Sequence, residues 1–122
     1  MINYASYFKN LFLPSLKGLF DVEWQKKGWR GLDKPDKYPG FDEVTMNFSE
    51  ISEVVLSSPR GYNLSKGKED KLRQLNDMID TYDCSKNRSN DEREIINDPK
   101  WHEIQEVARL TYDDFKNITF DS

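Results

Sequence analysis

The segment Asp98–Ile118, DPKWHEIQEVARLTYDDFKNI, constrains the fold more than any other stretch of the chain. Asp98 suits a helix start, where its carboxylate accepts from free backbone amides, and Pro99 suits the first helical position, where a missing N–H is no loss. Trp101, Ile104, Ala108, Thr111 or Tyr112, Phe115 and Ile118 then recur at spacings of three and four, with Val107 beside them. This spacing lines one face of an α-helix. Lys100, His102, Glu103, Gln105, Glu106, Arg109, Asp113, Asp114 and Lys116 fill the remaining face. Such a stripe has to be buried, so the rest of the chain must supply elements that cover it.

The 122 residues are expected to form a single domain over 1–122, large enough to bury a core without disulfide or metal staples. Three Trp, six Tyr and seven Phe supply that core, and the 33% of charged residues supply a solvated surface. Residues 1–40 hold seven Lys/Arg against four Asp/Glu, a balance of +3, while residues 41–122 hold eleven against eighteen, a balance of −7. This distribution argues against direct nucleic-acid binding, which needs clustered cations, and favours a basic partner. Cys84 is the single cysteine, so no intrachain disulfide or thiolate cluster can form, and a reducing compartment is expected. Lys9 and Lys17 interrupt the apolar N-terminal stretch and no basic run precedes it. A signal peptide and a membrane span are therefore not expected, and the cytoplasm is the expected location.

Ahead of the anchoring helix, Tyr4, Tyr7, Phe8, Leu11 and Phe12 share one helical face over residues 3–13, with Asn3 as a cap. Pro14 biases Leu13 away from helix. A second helical piece is expected from Ser15, burying Leu16, Leu19, Phe20 and Trp24 and stopping at Gly28. Residues 28–47, with three glycines and two prolines among Trp29, Leu32, Tyr38 and Phe41, read as one long aromatic-rich loop. A short strand at Glu43–Met46 is one option within it. A helix over 47–57 follows, begun by Asn47 and Glu50 in capping-box spacing, with strand character open at Val54–Leu56. Residues 58–67 read as a loop, and Leu72, Leu75, Ile79 and Tyr82 mark a helix from Lys68 to Asp83. Residues 84–97 read as a polar linker in which one helical turn tucks in Ile95 and Ile96. The expected fold is all-α, a compact bundle of four to five helices, with an α+β fold built on a small sheet from 41–57 as the alternative.

Motifs for chemistry are largely missing. Gly67-Lys68 is followed by Glu69, so no phosphate-binding loop is formed, and neither GxGxxG nor GxSxG occurs. His102, the single histidine, opens an HExxH-like stretch, but Glu106 stands at its final position. One His and one carboxylate do not make a convincing zinc site, so His102 reads as a surface residue bonded to Glu106 or Asp98. The carboxylate pairs Glu50/Glu53, Asp77/Asp80 and Asp113/Asp114 point outward together from helix faces, unlike the opposed pair a glycosidase needs. Lys26, Lys27, Trp29 and Arg30 make only a short basic-aromatic patch. No catalytic residue, metal or cofactor is expected.

The remaining class is a binding protein. Asp77 and Asp80 lie on the polar side of one helix, Glu103 and Glu106 on the polar side of the next. If the two pack antiparallel, both acidic faces border one surface. Trp29 and Tyr38, with Asp42 and Glu43 at the end of the loop, complete the candidate partner-binding set as aromatic anchors and nearby charge. In size, acidity and compositional style the chain resembles small bacterial immunity proteins, including those of contact-dependent growth inhibition. That resemblance implies a cytoplasmic, non-catalytic protein that neutralises a cognate toxin, often a basic nuclease domain. A phage or regulatory adaptor that binds a host protein is the alternative.

Overall fold

A computed structural model describes residues 3–29, 40–85, 89 and 91–120. Among these residues the fold is all-α, with no strand. The chain begins with α1 (Tyr4–Tyr7), whose amide at Ser6 donates to the Asn3 side chain at 3.0 Å. It runs without a break through a π-helical turn (Phe8–Phe12) into α2 (Leu13–Phe20). Pro14 was expected to end this helix, and it does not. The Leu13 amide reaches back five residues to the Phe8 carbonyl, and this widened turn sits immediately before Pro14. A proline ring clashes with the carbonyl four residues earlier in a regular helix, so a π turn at that point relieves the clash without breaking the rod.

Asp21 separates α2 from α3 (Val22–Trp29), its carboxylate accepting from the Trp24 amide at 3.1 Å. The expected helix over 47–57 is longer and starts earlier, as α4 (Phe41–Leu56). This corrects both strand options, because Glu43–Met46 and Val54–Leu56 are helical. It also shortens the expected 28–47 loop at each end. A turn holding Asn63 in the left-handed region (φ 56°) leads to α5 (Lys66–Asp83), capped by Ser65. Gly61 in that turn leaves room for the Tyr4 ring, which a side chain there would strike. The single turn α6 (Glu92–Ile95) tucks in Ile95 and Ile96 as anticipated, and α7 (Pro99–Phe115) carries the anchoring stripe.

The rod from α1 to α2, then α4, α5 and α7, form an up-down-up-down bundle. Phe12 stacks on Phe115 while the Leu19 carbonyl meets Gln105, so α2 and α7 run antiparallel. Phe41 meets Tyr82 while Ser52 bonds Asn76, so α4 and α5 do the same. Each helix turns one apolar face inward, as the packing of such a bundle requires. Aromatic clusters close the two ends. Tyr4, Tyr7, Phe8, Tyr62 and Phe120 gather at one end, and Trp29, Phe41, Tyr82 and Trp101 at the other. On α7, Trp101, Ile104, Ala108, Thr111 and Phe115 are all buried, while Tyr112 is half-buried against Phe20.

Candidate functional site

The site is built by α5 and α7. On α5, Leu72, Leu75, Ile79 and Tyr82 face the core, which turns Asp77 and Thr81 outward. On α7 the buried stripe leaves Lys100 and Glu103 exposed on its flank. Two contacts set the direction of packing. At one end Lys68 and Lys71 reach Asp114 at 3.4 and 3.3 Å, and at the other the Tyr82 hydroxyl donates to Asp98 Oδ2 at 2.7 Å. The helices are therefore antiparallel, the condition under which their acidic faces share a surface.

Between the C-terminal part of α5 and the N-terminal part of α7 lies an open groove of about 630 Å³. Met78, Tyr82 and Ile104 form its floor, and Arg73, Asp77, Lys100 and Glu103 stand on its rims. Two of the four acids proposed for this face thus meet in one groove: Asp77 on α5 and Glu103 on α7. The other two do not. Asp80 is exposed beyond the α5 rim. Glu106 does not line the groove, and Arg109, one turn further along α7, donates to it at 2.6 and 3.2 Å. That guanidinium holds the Glu106 carboxyl below the usual carboxylate range.

Charge pairing along the groove is uneven. Arg73 is bound to Glu69 at 3.1 Å, Lys66 to Asp70 at 3.3 Å, and Lys100 sits 3.9 Å from Glu103. Asp77 makes no ion pair among the described residues. The rim cations are already engaged, so the groove retains one rim carboxylate, Asp77, without an ion pair among the described residues.

The remaining candidates fall elsewhere. Trp29 was expected to be a surface anchor, but it is 3% exposed and packs against Phe41 and Trp101. Its ring closes the core, which corrects its assignment to a partner surface. Tyr38 lies outside the described residues. Asp42 and Glu43 are exposed in the first turn of α4, where acids favour the positive end of the helix dipole. Glu43 borders a separate cleft with Pro14, Trp24 and Asn47. The outer face of α4 continues with exposed Glu50 and Glu53 around Met46, which is 62% exposed. That helix carries no Lys or Arg, and none of its four acids is ion-paired among the described residues. Sequence reasoning split this face by assigning residues 41–47 to a loop.

His102 Nε2 lies 2.6 Å from the Ile96 carbonyl, so its partner is neither Glu106 nor Asp98. Among the described residues no three His, Cys, Asp or Glu side chains are placed to hold a metal, and no helix is long and apolar enough to cross a membrane. No significant match to a protein-family model, a curated protein or a solved structure was found for the chain.

Proposed function

We propose that the protein is a non-catalytic inhibitor of the bacterial immunity type, of the kind that counters contact-dependent growth inhibition. It binds a cognate toxin domain, a basic nuclease, and occludes the cleft through which that enzyme reaches its substrate. The observation that carries this reading is the α5/α7 groove, where antiparallel packing sets Asp77 and Glu103 on opposite rims above Met78, Tyr82 and Ile104. Concave apolar surface beside a few charges is what protein partners use for anchoring. The unpaired acids along α4 and the −4 net charge add a field that draws a cationic partner in from a distance. The exposed, unpaired Cys84 fits action in a reducing cytoplasm.

Co-expression with the toxin encoded beside this gene tests the proposal. The expected result is a stable one-to-one complex and loss of nuclease activity in the purified mixture. A neighbouring toxin that is neither bound nor inhibited overturns it.

A further inference from the structure

We infer that the α5/α7 groove receives a basic amphipathic segment of a protein partner, which seats one large apolar side chain on the floor and sets a Lys or Arg from the same segment against Asp77. The inference rests on the reading of the protein as a binder of a basic partner and identifies what that partner must present.

Three observations support it. The groove volume of about 630 Å³ lies within the range of sites that enclose a side chain or small ligand. Its floor joins the half-buried Met78 to the inner residues Tyr82 and Ile104. A thioether beside a branched aliphatic chain and an aromatic ring adapts to apolar groups of differing shape. The third is charge complementarity. Arg73 and Lys100 are held by Glu69 and Glu103, and Asp70 by Lys66, which leaves Asp77 as the rim carboxylate without an ion pair among the described residues. A segment bringing one positive charge completes the rim, whereas an acidic segment meets Asp77 and Glu103 with like charge. A cation set over an apolar floor also gains from reduced solvent screening, which an isolated surface pair lacks.

The test uses the full chain labelled at its methionine and isoleucine methyl groups and followed by NMR. The probe is a blocked pentapeptide with a central tryptophan flanked by lysines, compared with the same peptide carrying glutamates instead. The lysine peptide is expected to shift the Met78 and Ile104 methyl signals saturably, and the glutamate peptide to leave them unmoved. Asp77→Asn should weaken the lysine peptide about three- to fivefold, the range of a partly exposed ion pair. Thr81→Trp, which fills the groove from its α5 wall, should abolish binding, while Glu50→Lys on α4 should leave the methyl shifts in place. Equal binding of both peptides, an unaltered affinity in Thr81→Trp, or methyl shifts produced by concentrating the protein alone overturns the inference; the last would give the groove to a second copy of the chain. Binding of an intact cognate toxin to Thr81→Trp separates this inference from the immunity reading. Undiminished toxin binding removes the groove and keeps the inhibitor, whereas a wild-type protein that binds no toxin removes the inhibitor.

Discussion

Gln105 Nε2 donates to Gln25 Oε1 at 2.8 Å inside the core, joining α7 to α3 where α2 ends. Gln25 in turn donates to the Gly18 and Leu19 carbonyls at 2.7 and 3.0 Å and accepts from Trp101 Nε1 at 3.2 Å. The last carbonyls of a helix have no partner within it, and here a buried amide from the next helix supplies one. Gln25→Leu strands the Gly18 carbonyl and the Trp101 indole N–H and takes an acceptor from Gln105, which still serves the Leu19 carbonyl at 3.2 Å, so it should cost about 3 kcal/mol. Gln105→Leu leaves Gln25 in place to serve Leu19, so it should cost about 1–2 kcal/mol. Urea denaturation of both variants checks the order, and a larger loss in Gln105→Leu contradicts this account.

Tyr82 and Asp98 should behave as a coupled pair. Asp98 accepts from the Tyr82 hydroxyl with Oδ2 and caps the Lys100 amide with Oδ1 at 2.9 Å. Tyr82→Phe is expected to cost about 1–2 kcal/mol and Asp98→Ala about 2–3 kcal/mol, since the latter loses the cap as well. The double variant should be less destabilised than the sum, as a double-mutant cycle would read out.

Tyr62 predicts the opposite response to the same chemical change. Its hydroxyl is buried without a hydrogen-bond partner among the described residues. Tyr62→Phe should therefore leave stability at neutral pH unchanged or raise it by up to about 1 kcal/mol. Burial, with smaller contributions from Tyr7 and Tyr4, raises the Tyr62 pKa above its ordinary 10.0. A group that resists ionisation in the folded state contributes stability below its unfolded pKa and loses it as pH rises toward the folded one. Stability should fall above about pH 10, and Tyr62→Phe should flatten that decline in denaturation curves taken across alkaline pH.

Asp114 makes the mirror-image case at acid pH. Burial pushes its carboxyl up, but hydrogen bonds from Lys71 and Lys68 outweigh this and hold its pKa below the ordinary value. The stabilisation is present above the unfolded pKa and is lost as pH falls through the folded one. The carboxylate is about one-third exposed, so solvent screening keeps the effect small. Asp114→Asn should cost under about 1 kcal/mol at pH 7 and almost nothing at pH 2. An equal loss at both pH values would show that the ion pairs are not its source.

The four acids first grouped on one face should separate kinetically against a basic toxin. Asp77→Ala and Glu103→Ala, in the groove, are expected to raise the dissociation rate. Asp80→Ala and Glu106→Ala should alter mainly the association rate and its salt dependence. Surface plasmon resonance at two ionic strengths resolves the two effects, and identical behaviour of all four variants removes the groove from the interface.

The parts of the fold legible in the sequence are those governed by neighbours within one or two helical turns. Asp98 and Pro99 start α7, its stripe is buried from Trp101 to Phe115, and Ile95 and Ile96 are tucked in. Each follows from local capping or from helical periodicity. The start of α4 was not legible, because the Phe41 amide is capped by Glu92 Oε1 at 3.1 Å, 51 residues away. Gly40 permits this approach, since a side chain there would meet the Glu92 carboxylate. In sequence the same glycine reads only as loop.

The candidate site divides along the same line. Periodicity alone determined that Asp77 and Glu103 lie on the polar sides of two amphipathic helices. Only tertiary structure decided that those sides meet over Met78 and Ile104, that Glu106 is taken by Arg109, and that Trp29 belongs to the core. A helical period specifies the direction of a side chain about its own axis. Which direction becomes a groove, an ion pair or an interior depends on the antiparallel packing of helices distant in sequence.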